Sequence, residues 1–286
     1  MKGKHPRRLQ TGKQFREKMK LQFIQPQHEL TPYITKFWVF ENDNGLVNHG
    51  TLIAPNAKAK IIIPYKNTLT TTDNKQTAMC KEGDICFIGI RDVPVTLGSP
   101  QGASGSIGIE LTTDGAHRFI KVPMYELTNT LFSFSELYGR EAKELLEKMH
   151  DEENPKQKIK LIQEFLFHQL IGENKNNSII NYSVNFISSL HGLVSIKELE
   201  RKTGYSKRYL DMLFKNHLGI SPKTFATIQR FQHFYKNISN DNAFSSSTNI
   251  YELYYDQSHF IKEFKRYTGF TPSQYSSLNN DFGKYF

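Results

Sequence analysis

Two stretches of the chain lie over each other at an offset of fifty residues. Tyr205 to Phe225 reads YSKRYLDMLFKNHLGISPKTF, and Tyr255 to Tyr275 reads YDQSHFIKEFKRYTGFTPSQY. Identities fall at Tyr205/Tyr255, Phe214/Phe264, Lys215/Lys265, Gly219/Gly269 and Pro222/Pro272, while Leu210/Phe260, Ser221/Thr271 and Phe225/Tyr275 keep their chemistry. A supersecondary unit used twice constrains the fold strongly, because both copies must bury their apolar side in the same way.

Each copy has a local physical reading. Ser206 or Asp256 suits a helix N-cap, its side-chain oxygen taking an orphan backbone donor. Leu210, Leu213 and Phe214, or Phe260 and Phe264, fall at helical spacing on one side, which predicts the buried face. Gly219 or Gly269 suits the left-handed residue that ends a helix. Ser221-Pro222 or Thr271-Pro272 then starts the next helix, with proline at its first position. Ahead of the first copy, Ser195 to Lys202 predicts a short helix buried through Ile196 and Leu199 and closed near Gly204. Helix, glycine-containing turn and second helix make a helix-turn-helix.

The outward residues of the second helix decide what such a unit can do. They are Lys207, Arg208, Asp211, Met212 and Lys215 in the first copy, and Gln257, Ser258, Ile261, Lys262, Lys265 and Arg266 in the second. Gln, Arg, Lys and Ser are types that reach base edges or phosphates in a major groove. One such face is also what a solvated helix looks like. Two equivalent faces joined by a long helix, SPKTFATIQRFQHFYKNI, suit successive major grooves.

At these residues the chain resembles the AraC/XylS family of transcription regulators, over about residues 178 to 276. The resemblance rests on FKNHLGISPKTFATIQRFQ and YYDQSHFIKEFKRYTGFTPSQY. It implies double-stranded DNA as partner, with base-reading candidates Arg208, Asp211, Met212, Gln257, Ser258 and Lys262 and phosphate candidates Lys207, Lys215, Lys265 and Arg266. Asp211 could accept from a cytosine amino group and Met212 could touch a thymine methyl. The chain departs from the family before the second copy, where Thr248, Asn249 and Leu253 replace the usual Ile-Ala pair and glycine. FSSSTNIYELYY is therefore expected to be a shortened or distorted supporting helix.

The front half changes period. From Leu21 to about Leu111, runs such as ITKFWVFEN, TLIAP, AKIIIPY, AMCKEGDICFIGI and GSIGIEL are short and strand-like, and Gly83-Asp84, Gly98-Ser99-Pro100 and Gly102 to Gly105 break them up. GSPQGASGSIG is expected to be a flexible turn. Helical spacing follows: Asp114 caps a short helix through Phe119-Ile120, SELYGREAKELLEKMH gathers Leu137, Leu145, Leu146 and Met149, and Pro155 opens IKLIQEFLFHQL. The front half is also similar to the sensor region of one AraC subgroup, through ELTPYITKFWVFE, FIGIRDVP, SIGIEL, HRFIKVPMYELTN and LYGREAKELLEKM.

The expected fold is α+β: an N-terminal mostly-β, barrel- or sandwich-like sensor domain with trailing helices, then an all-α C-terminal domain with two helix-turn-helix units. The expected boundaries are a basic, disordered tail over 1–20, a sensing or dimerisation domain over 21–171, a linker over 172–178, the DNA-binding domain over 179–276 and a tail over 277–286. Charge follows this division. The chain carries +9 in all, with +7 in residues 1–20, −3 in 21–190 and +5 in 191–275. A basic segment suits a polyanionic partner.

Other classes have thinner support. Glu110, His28, His49 and His117 show no close ligand spacing, so no metal is expected. Neither a G-x-S-x-G turn nor a phosphate loop nor a dinucleotide fingerprint occurs, so no cofactor and no catalytic residue is expected. Cys80 and Cys86 are read as ordinary strand cysteines, too few for a disulfide framework. No apolar run is long enough to span a membrane, which favours a soluble cytoplasmic protein. Three partners for the front domain stay open: a small-molecule effector, a second copy of the chain, or another protein. A metal-dependent or sugar-binding enzyme in the β domain is the remaining alternative. Trp38, Phe37, Phe40, Tyr65 and Phe87 could line a pocket or make the core.

Overall fold

The computed structural model describes residues 19–43, 51–73, 76–99, 102–113, 115–170, 178–241, 254 and 256–276. Its front part is two antiparallel sheets. One has six strands in the order β1 (Met19–Ile24), β2 (Ile34–Asn42), β9 (Ser104–Leu111), β4 (Lys60–Lys66), β7 (Cys86–Ile88) and β10 (Leu131–Ser133). The other orders β3 (Thr51–Ile53), β8 (Val95–Gly98), β5 (Leu69–Thr72) and β6 (Thr77–Cys80). The arrangement is sandwich-like and is not a closed barrel. β1 begins at Met19, two residues inside the stretch read as a tail, and pairs Met19 with Asn42 and Lys20 with Glu41.

The six-stranded sheet is covered on both faces, which explains why FWVF and KIII read as continuous apolar runs. Alternation still sorts them. Phe37 and Val39 of β2 and Ile61 and Ile63 of β4 face the main core, with Phe119, Phe134 and Leu145 of the trailing helices. Trp38, Phe40 and Ile62 point the other way and pack with Leu69 and Leu97 of the smaller sheet. Of the five aromatics in question, Phe37 and Phe87 are therefore core, Trp38 and Phe40 lie between the sheets, and half-buried Tyr65 donates to Glu41 Oε1 at 3.1 Å.

Two readings are corrected here. GSPQGASGSIG is not all turn, because its second half enters β9 at Ser104. Gly108 is required there: a Cβ at this position would lie 1.9 Å from the Trp38 ring. Cys80 and Cys86 are not free strand cysteines but are joined as a disulfide. They end β6 and begin β7, and the tight turn between them, with Gly83 at φ 79°, brings their Cα atoms to 6.0 Å. A pair this local needs no framework; it needs only a turn that returns the chain to its neighbour.

The trailing helices are α1 (Gly115–Phe119), α2 (Phe134–Tyr138), α3 (Arg140–His150) and α4 (Pro155–Gln169). Asp114, expected to cap α1, lies outside the described residues. Gly139, at φ 57°, splits SELYGREAKELLEKMH into two helices, and Ala142, Leu145 and Met149 form the buried stripe of the second. Asn154 caps α4 through the Lys156 N–H at 2.9 Å, with Pro155 at the first helical position as expected.

The C-terminal part is all helix: α5 (Ser178–Ser189), α6 (Ile196–Thr203), α7 (Lys207–Leu218), α8 (Pro222–Asp241), α9 (Gln257–Thr268) and α10 (Pro272–Ser276). Ser178 already belongs to α5, and the rest of the expected linker, 172–177, lies outside the described residues. So do Thr248, Asn249 and Leu253, on which the expectation about a distorted supporting helix rests. Among the described residues no helix is long and apolar enough to cross a membrane.

Candidate nucleic-acid interface

The first unit is closed by short-range chemistry. Ser195 Oγ accepts from the Glu198 N–H at 3.1 Å to start α6, and Gly204, left-handed at φ 75°, stops it. Across the turn, Glu200 Oε1 accepts from the Lys207 N–H at 2.6 Å, so the supporting helix places a carboxylate on the positive end of the next. Ser206 Oγ accepts from the Tyr209 N–H at 3.4 Å. Leu210, Leu213, Phe214 and Leu218 are buried, while half-buried Ile196 and buried Leu199 supply the facing side. What α7 leaves outside is Lys207, Arg208, Met212 and Lys215, all exposed, with Asp211 half-buried among them. Met212 exposes 51% of its surface, which leaves an apolar group ready for an apolar contact.

The second unit repeats the plan. Asp256 Oδ1 accepts from the His259 N–H at 2.7 Å, and Gly269, at φ 79°, ends α9. Thr271 and Gln274 then cap each other, Oγ1 accepting from the Gln274 N–H at 3.3 Å and Gln274 Oε1 from the Thr271 N–H at 3.0 Å. Gln257, Ser258, Lys262, Lys265 and Arg266 are exposed. Ile261, expected to face outward, is half-buried and packs on the core. Between the two units α8 carries 20 residues, about 30 Å at 1.5 Å per residue, close to one turn of B-DNA.

Beneath α9 lies a buried ion pair that the sequence reading did not single out. Arg230 of α8 holds Glu263 with two nitrogens, Nε reaching Oε1 at 3.2 Å and Nη2 reaching Oε2. Both side chains are shielded, at 16% and 7% exposure. Burial alone would lower the Arg230 guanidinium, but the Glu263 carboxylate outweighs it and holds the group above its ordinary value. The Tyr254 ring lies 4.9 Å from the guanidinium, and burial with the adjacent Glu263 pushes its phenol up. Phe231, Phe234, Phe260, Phe264 and Tyr275 complete an aromatic cluster around the pair. A signal existed: at the fifty-residue offset Glu263 falls on Leu213, a core position, where a carboxylate needs a partner.

The front domain reaches both helices. Thr128 Oγ1 donates to the Gly219 carbonyl at 2.9 Å, and the rings of His117 and His217 lie 4.0 Å apart between centroids, their planes tilted by 43°. Tyr125 lines an open groove with Lys207, Arg208, Asp211, Met212, Lys215 and Asn216. Gln232 Nε2 of α8 donates to the Pro55 carbonyl at 2.7 Å, and Arg266 of α9 faces Asp92 Oδ2 at 3.6 Å. Arg266, a phosphate candidate, is thus met by a carboxylate of the front domain.

The residues considered for a metal do not gather. Glu110 pairs with Lys58 Nζ at 2.7 Å and is held below the ordinary carboxylate range, because the lysines at 58 and 60 outweigh the opposing effect of burial. His28 sits in the short turn His28–Leu30, His117 packs against the ring of His217, and His49 lies outside the described residues. No three His, Cys, Asp or Glu residues among those described could hold a metal ion.

Comparison with known families matches residues 199–277 to a helix-turn-helix domain and residues 22–133 to a domain of unknown function, DUF6597. No curated protein matches the sequence significantly. Among solved structures, ToxT from Vibrio cholerae is 11% identical with a TM-score of 0.49, covering 83% of this chain and 97% of that chain. ToxT bound to (E)-4-(8-methylnaphthalen-1-yl)but-3-enoic acid is 12% identical with a TM-score of 0.49, covering 86% and 99%. The ethanolamine utilization protein EutQ from Salmonella typhimurium is 16% identical with a TM-score of 0.26, covering 32% and 68%.

Proposed function

We propose that this chain, a DNA-binding transcription regulator carrying an AraC-type helix-turn-helix domain, reads its operator with α7 and α9 and answers to a small molecule taken up by its front domain. The observation that carries the reading is the doubled unit: two capped helices with the same glycine stops, each presenting a polar face over a buried aromatic anchor. Arg208, Asp211, Met212, Gln257, Ser258 and Lys262 are assigned to base edges, and Lys207, Lys215, Lys265 and Arg266 to phosphates. A sensing domain over 21–171 and a DNA-binding domain over 179–276 follow from that division of labour. For the effector, the support is a mainly apolar pocket between the two sheets, walled by Trp38, Phe40, Ile62, Leu69 and Leu97.

Selection of bound duplexes from a random pool, followed by mobility-shift titration, tests the reading. Arg208→Ala should cost about 1–3 kcal/mol on the selected site and little on random duplex. Lys265→Ala should weaken all duplexes and reduce the salt slope by about one. Equal losses on both duplexes for Arg208→Ala would remove it from base reading, and failure to enrich any site would overturn the proposal.

A further inference from the structure

A tyrosine of the front domain stands beside the first reading helix. Tyr125 belongs to the short 3-10 turn Met124–Glu126 and exposes 50% of its surface. The chain on either side of it is fixed. Met124 and Leu127 are buried in the main core, and a Cβ on Gly219 of the next domain would lie 2.6 Å from the Met124 carbonyl oxygen. Thr128, one residue further, donates to the Gly219 carbonyl at 2.9 Å. A ring left half in water on so well-anchored a turn adds little to the core, and its polar tip is available for a contact at the surface.

Tyr125 is the far wall of an open groove whose near wall is α7, from Lys207 to Asn216. Lys207, Asp211 and Lys215 follow one another at four-residue spacing, with Arg208 and Met212 beside them, so the near wall is a single stripe of the helix. Three cations stand there against one carboxylate, and Lys207, Arg208 and Lys215 are all exposed, which suits a polyanion. Glu126 is exposed as well, but it points a third of a turn away from Tyr125 and is not one of the walls. A helix seated in a major groove runs between two sugar–phosphate strands, so a wall standing alongside that helix meets one of them. Phenols are among the side chains that donate to phosphate.

We infer that one sugar–phosphate strand of the duplex read by α7 enters this groove, and that the Tyr125 phenol donates to one of its phosphates. The DNA interface then includes the front domain, which holds the strand on the side opposite α7. Tyr125 is a positioning residue in this arrangement, since a phosphate contact fixes the register of the protein on the duplex and carries no sequence information. The inference rests on the regulator reading above.

Tyr125→Phe in the full-length chain keeps the ring and removes the donor. In mobility-shift titrations its affinity should fall about tenfold, and equally on the selected and the random duplex. The salt slope should match that of the parent, because a neutral phenol displaces no counterion. Ethylation interference locates the contact: one phosphate flanking the bases read by α7 should be needed by the parent and no longer needed by Tyr125→Phe. Tyr125→Glu should lose about a further tenfold, because its carboxylate would face the strand. Parent affinity and an unchanged ethylation pattern in Tyr125→Phe would overturn the inference and leave the regulator reading standing. A gain of affinity in either variant would make the ring an obstacle to DNA and would overturn it too. A parent chain that binds no duplex would defeat the regulator reading and this inference with it.

Discussion

The two helix-turn-helix units share caps, glycine stops and aromatic anchors, yet they are secured in different ways. The first sits on an apolar base, Leu210, Leu213 and Phe214, and its C-terminal end is covered by the front domain. A Cβ on Gly219 would meet Thr128 Oγ1 at 2.2 Å and the Met124 carbonyl oxygen at 2.6 Å, whereas one on Gly269 would meet nothing within 4 Å. The second unit replaces Leu213 by Glu263 and answers it with Arg230. It touches the front domain through the Arg266–Asp92 pair, more than half exposed on the arginine side. A repeat can thus keep its backbone while its two copies are anchored differently: one braced against the front domain, the other held by an ion pair inside its own domain.

The largest break in this comparison comes from the buried pair. Glu263→Leu, which copies the first unit's residue, leaves Arg230 buried and unpaired and should cost about 3–5 kcal/mol. Adding Arg230→Met should restore most of that loss, because an apolar pair replaces an ionic one in the same space. Urea denaturation of the three proteins measures both. A single-mutant loss below about 1 kcal/mol would place the pair in water, at surface-pair strength.

The glycine stops sharpen the contrast at a smaller scale. Gly269→Ala should cost about 1–2 kcal/mol, the price of a left-handed Cβ in open space. Gly219→Ala should cost more and should also separate the front domain from α7, seen as faster proteolysis between the two. Equal losses would mean that the contact at Thr128 contributes nothing to stability.

The caps should give the smallest effects and the most similar ones. Ser206→Ala and Asp256→Ala should each lower stability by about 1 kcal/mol, with Asp256 the larger because its carboxylate also meets the helix dipole. Thermal unfolding at low and high salt separates the two: only the Asp256 loss should shrink as salt rises.

How much of this was legible depended on the distance over which each interaction acts. The glycine stops and the caps at Ser206 and Asp256 could be read directly, since each involves residues within about one helical turn. The strands β2, β4 and β9 could be read because apolar residues crowd them, while β5, reading LTTT, and β8, reading VTLG, carry too few. The Cys80–Cys86 bond was missed because cysteines were weighed by number, whereas a tight turn needs only two.

The repeat, the helix boundaries and the polar faces of α7 and α9 were determined by the sequence itself, because hydrogen bonds and packing within each unit depend on residues three or four places apart. Only the tertiary structure decided that Glu263 lies against Arg230, that Trp38 and Lys60 share one pocket, and that Asp92 stands before Arg266. Those pairs are separated by tens to hundreds of residues, and no local preference brings them together. They meet because the sheets and helices bury their apolar faces, and the charges left inside must then find one another.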